Sequence, residues 1–200
     1  MVNTSATGGP LQPIPAQLPL SGQTLLSFLQ GWIAPLCNID PTLVRPRWQD
    51  EPSNIPDAAT AWVALGFVGD EDSDTFPWLW QSTDGLTFKL QQNEQMTLLC
   101  SFYDTGVTGQ ADYMSRLLRD NVMIQQNREP LYAQGFDLGY VGKRTPAPRT
   151  LSNRWLYRVD LPLVIRCQYT RTYQVLTVTS ATGEIYTDVG IDFPFSAQGG

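Results

Sequence analysis

Between Trp155 and Tyr169 every second residue is apolar or aromatic: Trp155, Tyr157, Val159, Leu161, Leu163, Ile165, Cys167 and Tyr169. A period of two held over that length puts all eight on one face of a single extended strand. No lone strand can bury such a face; it needs strands beside it and a layer over it. The stretch 154–169 therefore predicts the central, longest strand of a sheet with one apolar side. Met96, Leu98, Cys100 and Phe102 repeat the alternation within 88–103, which predicts a second long strand. The apolar runs 61–68 and 78–82 read as a hairpin whose long acidic tip is 69–77. The run 43–48 is short and carries Pro46, which cannot donate to a ladder, so it reads as an edge strand. Strands are also expected at 136–143, and as a last hairpin, 173–179 with 184–189, turning at Thr182-Gly183.

Two helical stripes supply the covering layer. Leu25, Leu29, Trp32 and Leu36 recur at i, i+4, i+7 and i+11, with Leu26 and Ile33 beside them, predicting a helix from near Ser21 to near Pro35. Ala111, Met114, Leu118 and Val122, widened by Leu117, predict a second over 109–125. A short helical turn is expected at 129–134, ending at Gly135. Helix, strands, helix, strands is an α+β layout: a mostly antiparallel sheet with two main helices packed on it. At 200 residues the chain is read as one domain over 21–195. Before it stands a Pro-rich extended arm, 1–20, with Pro10, Pro13, Pro15 and Pro19. It reads either as a disordered leader or as an arm laid on a neighbouring subunit. A flexible tail is expected at 196–200.

The chain has no histidine. That removes the commonest general base and metal ligand, and with them the Ser-His-Asp mechanisms. Cys37, Cys100 and Cys167 are far apart and form no C-x-x-C pair, so they read as buried thiols, not a zinc or redox site. No pair of acids stands out as a glycosidase couple, and no Gly-rich loop leads into Lys-Ser/Thr. No enzyme, cofactor or metal is expected. The net charge of −6 argues against generic nucleic-acid binding, which needs Lys and Arg on phosphates. The charge is uneven: residues 1–115 carry −9 and residues 116–200 carry +3. No stretch approaches the ~18 apolar residues of a membrane helix.

Two polar stretches invite a role. Asp70-Glu71-Asp72-Ser73-Asp74 opens like a calcium-binding loop, but Thr75 stands where that loop has glycine and Gln81 where it has glutamate. It reads as a calcium loop, a solvated tip, or an acidic lining that repels nucleic acid. Arg45-Pro46-Arg47-Trp48 places two arginines on one side of an edge strand with Trp48 opposite. These residue types are enriched at binding hot spots, and equally at guarded sheet edges.

The stretches Leu43-Val44-Arg45-Pro46-Arg47-Trp48-Gln49, Leu98-Leu99-Cys100-Ser101-Phe102-Tyr103 and Gln126-Asn127-Arg128-Glu129 resemble those of tailed-phage neck, or tail terminator, proteins. So do Pro146-Ala147-Pro148, Arg154-Trp155-Leu156-Tyr157-Arg158-Val159-Asp160-Leu161-Pro162 and Arg171-Thr172-Tyr173, in the same order over about 43–178. The resemblance implies a ring-forming α+β virion protein, usually a hexamer. Such a protein caps the tail tube and joins the tail to the head connector, its partners being its own copies, the tube protein and the connector. DNA would pass through without specific binding. The virion's tail neck is the implied location and the host bacterial cytoplasm the place of assembly. No catalytic residue is carried over. On this reading Arg45, Arg47, Trp48, Arg128 and Arg154 are expected at subunit interfaces, and Asp70, Glu71, Asp72 and Asp74 at the lumen or rim. Another head-completion or baseplate protein is the nearer alternative and a carboxylate-based cell-wall hydrolase the more distant one.

Overall fold

The computed structural model describes residues 10–14, 20–48, 60–72, 77–83, 86–105, 108–151, 154–175, 180–185 and 193–198. In chain order the elements are α1 (Gly22–Cys37), a 3-10 turn (Pro41–Leu43), β1 (Val44–Pro46), β2 (Trp62–Asp72), β3 (Trp78–Gln81), β4 (Thr87–Asp104), α2 (Gln110–Asn121), α3 (Gln125–Ala133), β5 (Phe136–Val141), β6 (Thr145–Pro146), β7 (Arg149–Leu151), β8 (Arg154–Gln174), β9 (Ser180–Ile185) and β10 (Phe193–Gln198). The fold is α+β. The alternating stretch forms β8, at 21 residues longer than any other strand, and it lies inside the sheet order β1-β2-β4-β8-β5.

The chain clusters into two compact units. One comprises Gln17–Pro77 and Gln92–Tyr169. Within it, β2 and β5 pair antiparallel with β4 and β8 respectively. Asp160 meets Ser101, Arg166 meets Gln95 and Gln168 meets Asn93, so β8 and β4 also run in opposite directions. Only β1 is parallel to its neighbour β2.

One face of this sheet is the core. Val159, Leu161, Leu163, Ile165 and Cys167 of β8 and Met96, Leu98, Cys100 and Phe102 of β4 are buried on it. Over them lie Leu25, Leu29, Trp32, Ile33 and Leu36 of α1, and Ala111, Met114 and Leu118 of α2. Leu131 of α3 joins the same cluster. Hydrogen bonds fix the helices to one another: Trp32 Nε1 donates to the Asn127 carbonyl at 2.7 Å, and Asn121 Nδ2 donates to the Leu36 carbonyl at 2.8 Å. The buried Asp104, at the end of β4, accepts the Ala111 N–H at 2.8 Å. A carboxylate there satisfies an orphan donor of α2 and complements its dipole.

The other unit comprises Met1–Ala16, Trp78–Gln91 and Thr170–Gly200. Here β3 pairs with the start of β4 as a hairpin, and β9 pairs with β10. Pro13 bridges to Tyr173, and the Ile14 N–H donates to the Thr172 carbonyl at 2.7 Å. The described part of the Pro-rich arm therefore lies on a strand end of its own chain.

Several boundaries differ from the sequence reading. α1 runs past Pro35 to Cys37: the proline stands in the last turn, where its missing N–H costs one hydrogen bond near the helix end, and the helix closes on Asn38 in the left-handed region. The stretch 109–134 forms two helices instead of one helix and a turn. The runs 61–68 and 78–82 are not a hairpin with each other: β4 is long enough for both to pair along it in succession. The acidic stretch is no loop tip over its first half, since Asp70, Glu71 and Asp72 stand in β2 opposite Met96, Gln95 and Glu94. Thr182-Gly183 lies within β9 and not at a turn, and residues 196–198 belong to β10.

Candidate functional site

The sheet face opposite the helices carries a connected set of polar and aromatic side chains. They come from the alternate positions of the strands that build the core, which β geometry turns the other way. Arg158 of β8, buried, forms a two-pronged ion pair with Asp160: Nε donates to Oδ1 at 2.7 Å and Nη2 to Oδ2 at 2.5 Å. The Ser101 hydroxyl donates to Asp160 Oδ1 at 2.6 Å and accepts from Arg47 Nη1 at 2.8 Å. The Arg158 guanidinium sits 5.9 Å from the Tyr103 ring centroid, and Tyr103 stacks on Trp62 at 4.3 Å with only 10° between planes. At the other end Arg47 lies 5.9 Å from the ring of Trp48, which is 63% exposed. Gly66 makes this possible, because a Cβ there would stand 2.6 Å from the Trp48 ring and 2.8 Å from the Arg47 Cβ.

The electrostatics are those of a structural clamp. Burial pushes the Asp160 carboxyl up, but hydrogen bonds from Arg158 and Ser101 and the charges of Arg158 and Arg47 outweigh it and hold it below its ordinary value. An ionised carboxylate so engaged is a weak base. Ser101 is fully buried and already makes both of its bonds within the network. The three cysteines are buried and free. Burial pushes Cys37 up to about 12, and burial with Glu94 beside it pushes Cys167 up to about 11. Burial, with smaller contributions from Cys37 and Asp160, also raises Cys100 well above its ordinary value. Thiols held protonated are poor nucleophiles. Among the described residues no group of three His, Cys, Asp or Glu is placed to hold a metal.

The residues singled out from the sequence are spread over the molecule. Arg47 and Trp48 join this face as a stacked pair instead of standing on opposite sides of a strand. Arg45 Nε donates to the Thr42 carbonyl at 3.2 Å. Arg128 is on α3, with its guanidinium 5.8 Å from the Tyr132 ring and its buried Nε without a hydrogen-bond partner. Arg154 begins β8, Asp70, Glu71 and Asp72 end β2, and Asp74 lies outside the described residues. The sequence reading missed Ser101, Arg158, Asp160 and the Trp62–Tyr103 stack. Their signal was available: polar and aromatic residues at the out-of-phase positions of strongly alternating strands.

Two further surfaces stand open. In the hairpin of β3 and β4, Trp78 is 71%, Leu79 61% and Trp80 39% exposed. Between α1 and α3 lies a cleft of about 1000 Å³, walled by Phe28, Gly31, Trp32, Pro35, Pro130 and Ala133 among others. These are features of a protein that meets other proteins. A search of curated proteins finds no match. A model of the phage neck terminator protein family matches residues 23–189. That span takes in α1 through β9, the helical layer and both faces of the sheet alike, and the chain belongs to the phage neck terminator family.

Proposed function

We propose that copies of this chain close into a ring, a hexamer on the family resemblance, that caps the tail tube and joins it to the head connector. The observation that carries this reading is the exposed aromatic surface of a chain whose core is already complete: Trp48, Trp78 and Leu79 stay in water while the helix-covered face is sealed. Exposed apolar surface of this kind marks interaction sites. The role is mechanical and not catalytic, in keeping with protonated thiols and a fully engaged Ser101–Asp160 pair. Arg45, Arg47, Trp48, Arg128 and Arg154 are offered as contacts to neighbouring copies. Asp70, Glu71, Asp72 and Asp74 are offered as a negative lumen or rim past which DNA slides, since acids repel phosphates that arginines would grip.

Reconstitution tests the reading. Heads and tails made without this protein should stay separate and should join into infectious particles when the purified chain is added. Particles that join equally well without it would overturn the assignment. With Asp70, Glu71, Asp72 and Asp74 changed to Asn or Ser, particles should join normally and eject DNA slowly. Normal ejection would remove the lumen reading alone.

A further inference from the structure

The first charged residue of the chain is Asp40. The whole of α1 is therefore uncharged, including its exposed side, where Gly31 and Pro35 face the cleft shared with α3. Depletion of charge together with aromatic enrichment distinguishes the centre of a protein interface from ordinary surface. The same holds for β3, whose sequence Trp-Leu-Trp-Gln carries no charge and whose four residues are all exposed. A two-stranded hairpin with apolar side chains in water has little to stabilise it alone. One chain thus presents an exposed apolar hairpin and a mostly apolar cleft whose one charged wall residue is Glu129.

We propose that the Trp78–Trp80 hairpin of one copy docks in the α1–α3 cleft of the next. This deepens the ring reading and rests on it. A projection on one surface matched to a pocket on another is a heterologous contact, which propagates head to tail and closes if the rotation allows. The sizes agree. The cleft of about 1000 Å³ has room for both indoles. Burying them covers on the order of 250 Å², about a third of the ~800 Å² that a standard interface takes from each partner. The chemistry agrees as well. An indole brings an apolar body and one N–H, and the cleft offers the Phe28 and Trp32 rings with Gln126 and Glu129 as acceptors at its wall.

Two surface variants test the contact, each leaving one half intact. Trp78→Ala/Trp80→Ala removes the projection. Gly31→Arg fills the cleft, and the fold tolerates it because a Cβ at Gly31 meets nothing within 4 Å. By light scattering on a sizing column, wild type should run as the ring, and each variant alone as monomer with assembly weakened at least tenfold. Mixed in equal amounts, the two should form a 1:1 heterodimer and stop there, because only one complementary pair of surfaces survives. Circular dichroism matching wild type checks the fold of each. Variants that assemble like wild type, or a mixture that stays monomeric, overturn the contact while wild-type rings leave the ring reading standing. A wild type that is monomeric at every concentration removes both.

Discussion

Alternate residues of β8 face two different chemistries. Val159, Leu161, Leu163 and Ile165 look into the helices and are essentially inaccessible, whereas Arg158 and Asp160 look the other way into an ion pair with Ser101, Arg47 and Tyr103 around it. The covered face is held by non-directional burial, each large side chain contributing about 1.5–3 kcal/mol. The opposite face is held by directional bonds between largely buried groups that would be costly to leave unpaired. The first face tolerates a change of shape better than a change of polarity. The second depends on geometry, and it borders the exposed Trp48.

The covered face should show the largest effect. Ile165→Asp puts a carboxylate among apolar side chains and should cost about 4 kcal/mol, or leave the chain insoluble. Urea unfolding checks this, and a soluble variant with an unchanged midpoint would break the face assignment. On the opposite face, Asp160→Asn leaves the buried Arg158 guanidinium without its counter-charge and should cost about 2 kcal/mol at neutral pH. The pH dependence sharpens the point. Because the folded carboxyl titrates below its unfolded value of ~3.9, its stabilisation is present above that pH and is lost as pH falls through the folded value. The gap between wild type and Asp160→Asn should therefore be full at pH 6 and narrow only as the pH falls below the unfolded value of ~3.9.

Smaller still is Gly66→Ala. Its new methyl meets the Trp48 ring and the Arg47 Cβ, so the stacked pair must shift, at about 1 kcal/mol and with a change in tryptophan fluorescence. An unchanged spectrum would show that the pair does not rest on β2. Trp48→Ala should move stability by less than ~0.5 kcal/mol, since the ring is already in water. If Trp48 meets a neighbouring copy, the same change should weaken assembly. A large loss of stability would instead make Trp48 part of the fold.

The covered face was legible in the sequence because burial writes a period. The β8 and β4 alternation and the α1 and α2 stripes mark the residues that the structure buries. Pairing was less legible. Nothing local to 61–68 or 78–82 tells that both lie along β4, because that depends on a partner long enough to take two strands in turn. The β9–β10 pairing is illegible for a related reason: Thr182-Gly183 has turn chemistry, yet Thr182 stands opposite Ser196 and Gly183 opposite Phe195 within a ladder. The Arg47–Ser101–Asp160–Arg158 network joins three distant stretches, and only the register of β4 on β8 brings them together. Arg45-Pro46-Arg47-Trp48 was visible as a motif, but the stacking of Arg47 on Trp48 depends on an absent Cβ at Gly66.

The proposal that matters most for this phage neck terminator chain is that its copies close into a ring. Negative-stain images of the purified full chain, at concentrations spanning the micromolar range, test it most directly. The account predicts closed rings of one rotational symmetry with an open centre. Fields of single small particles at every concentration would contradict it.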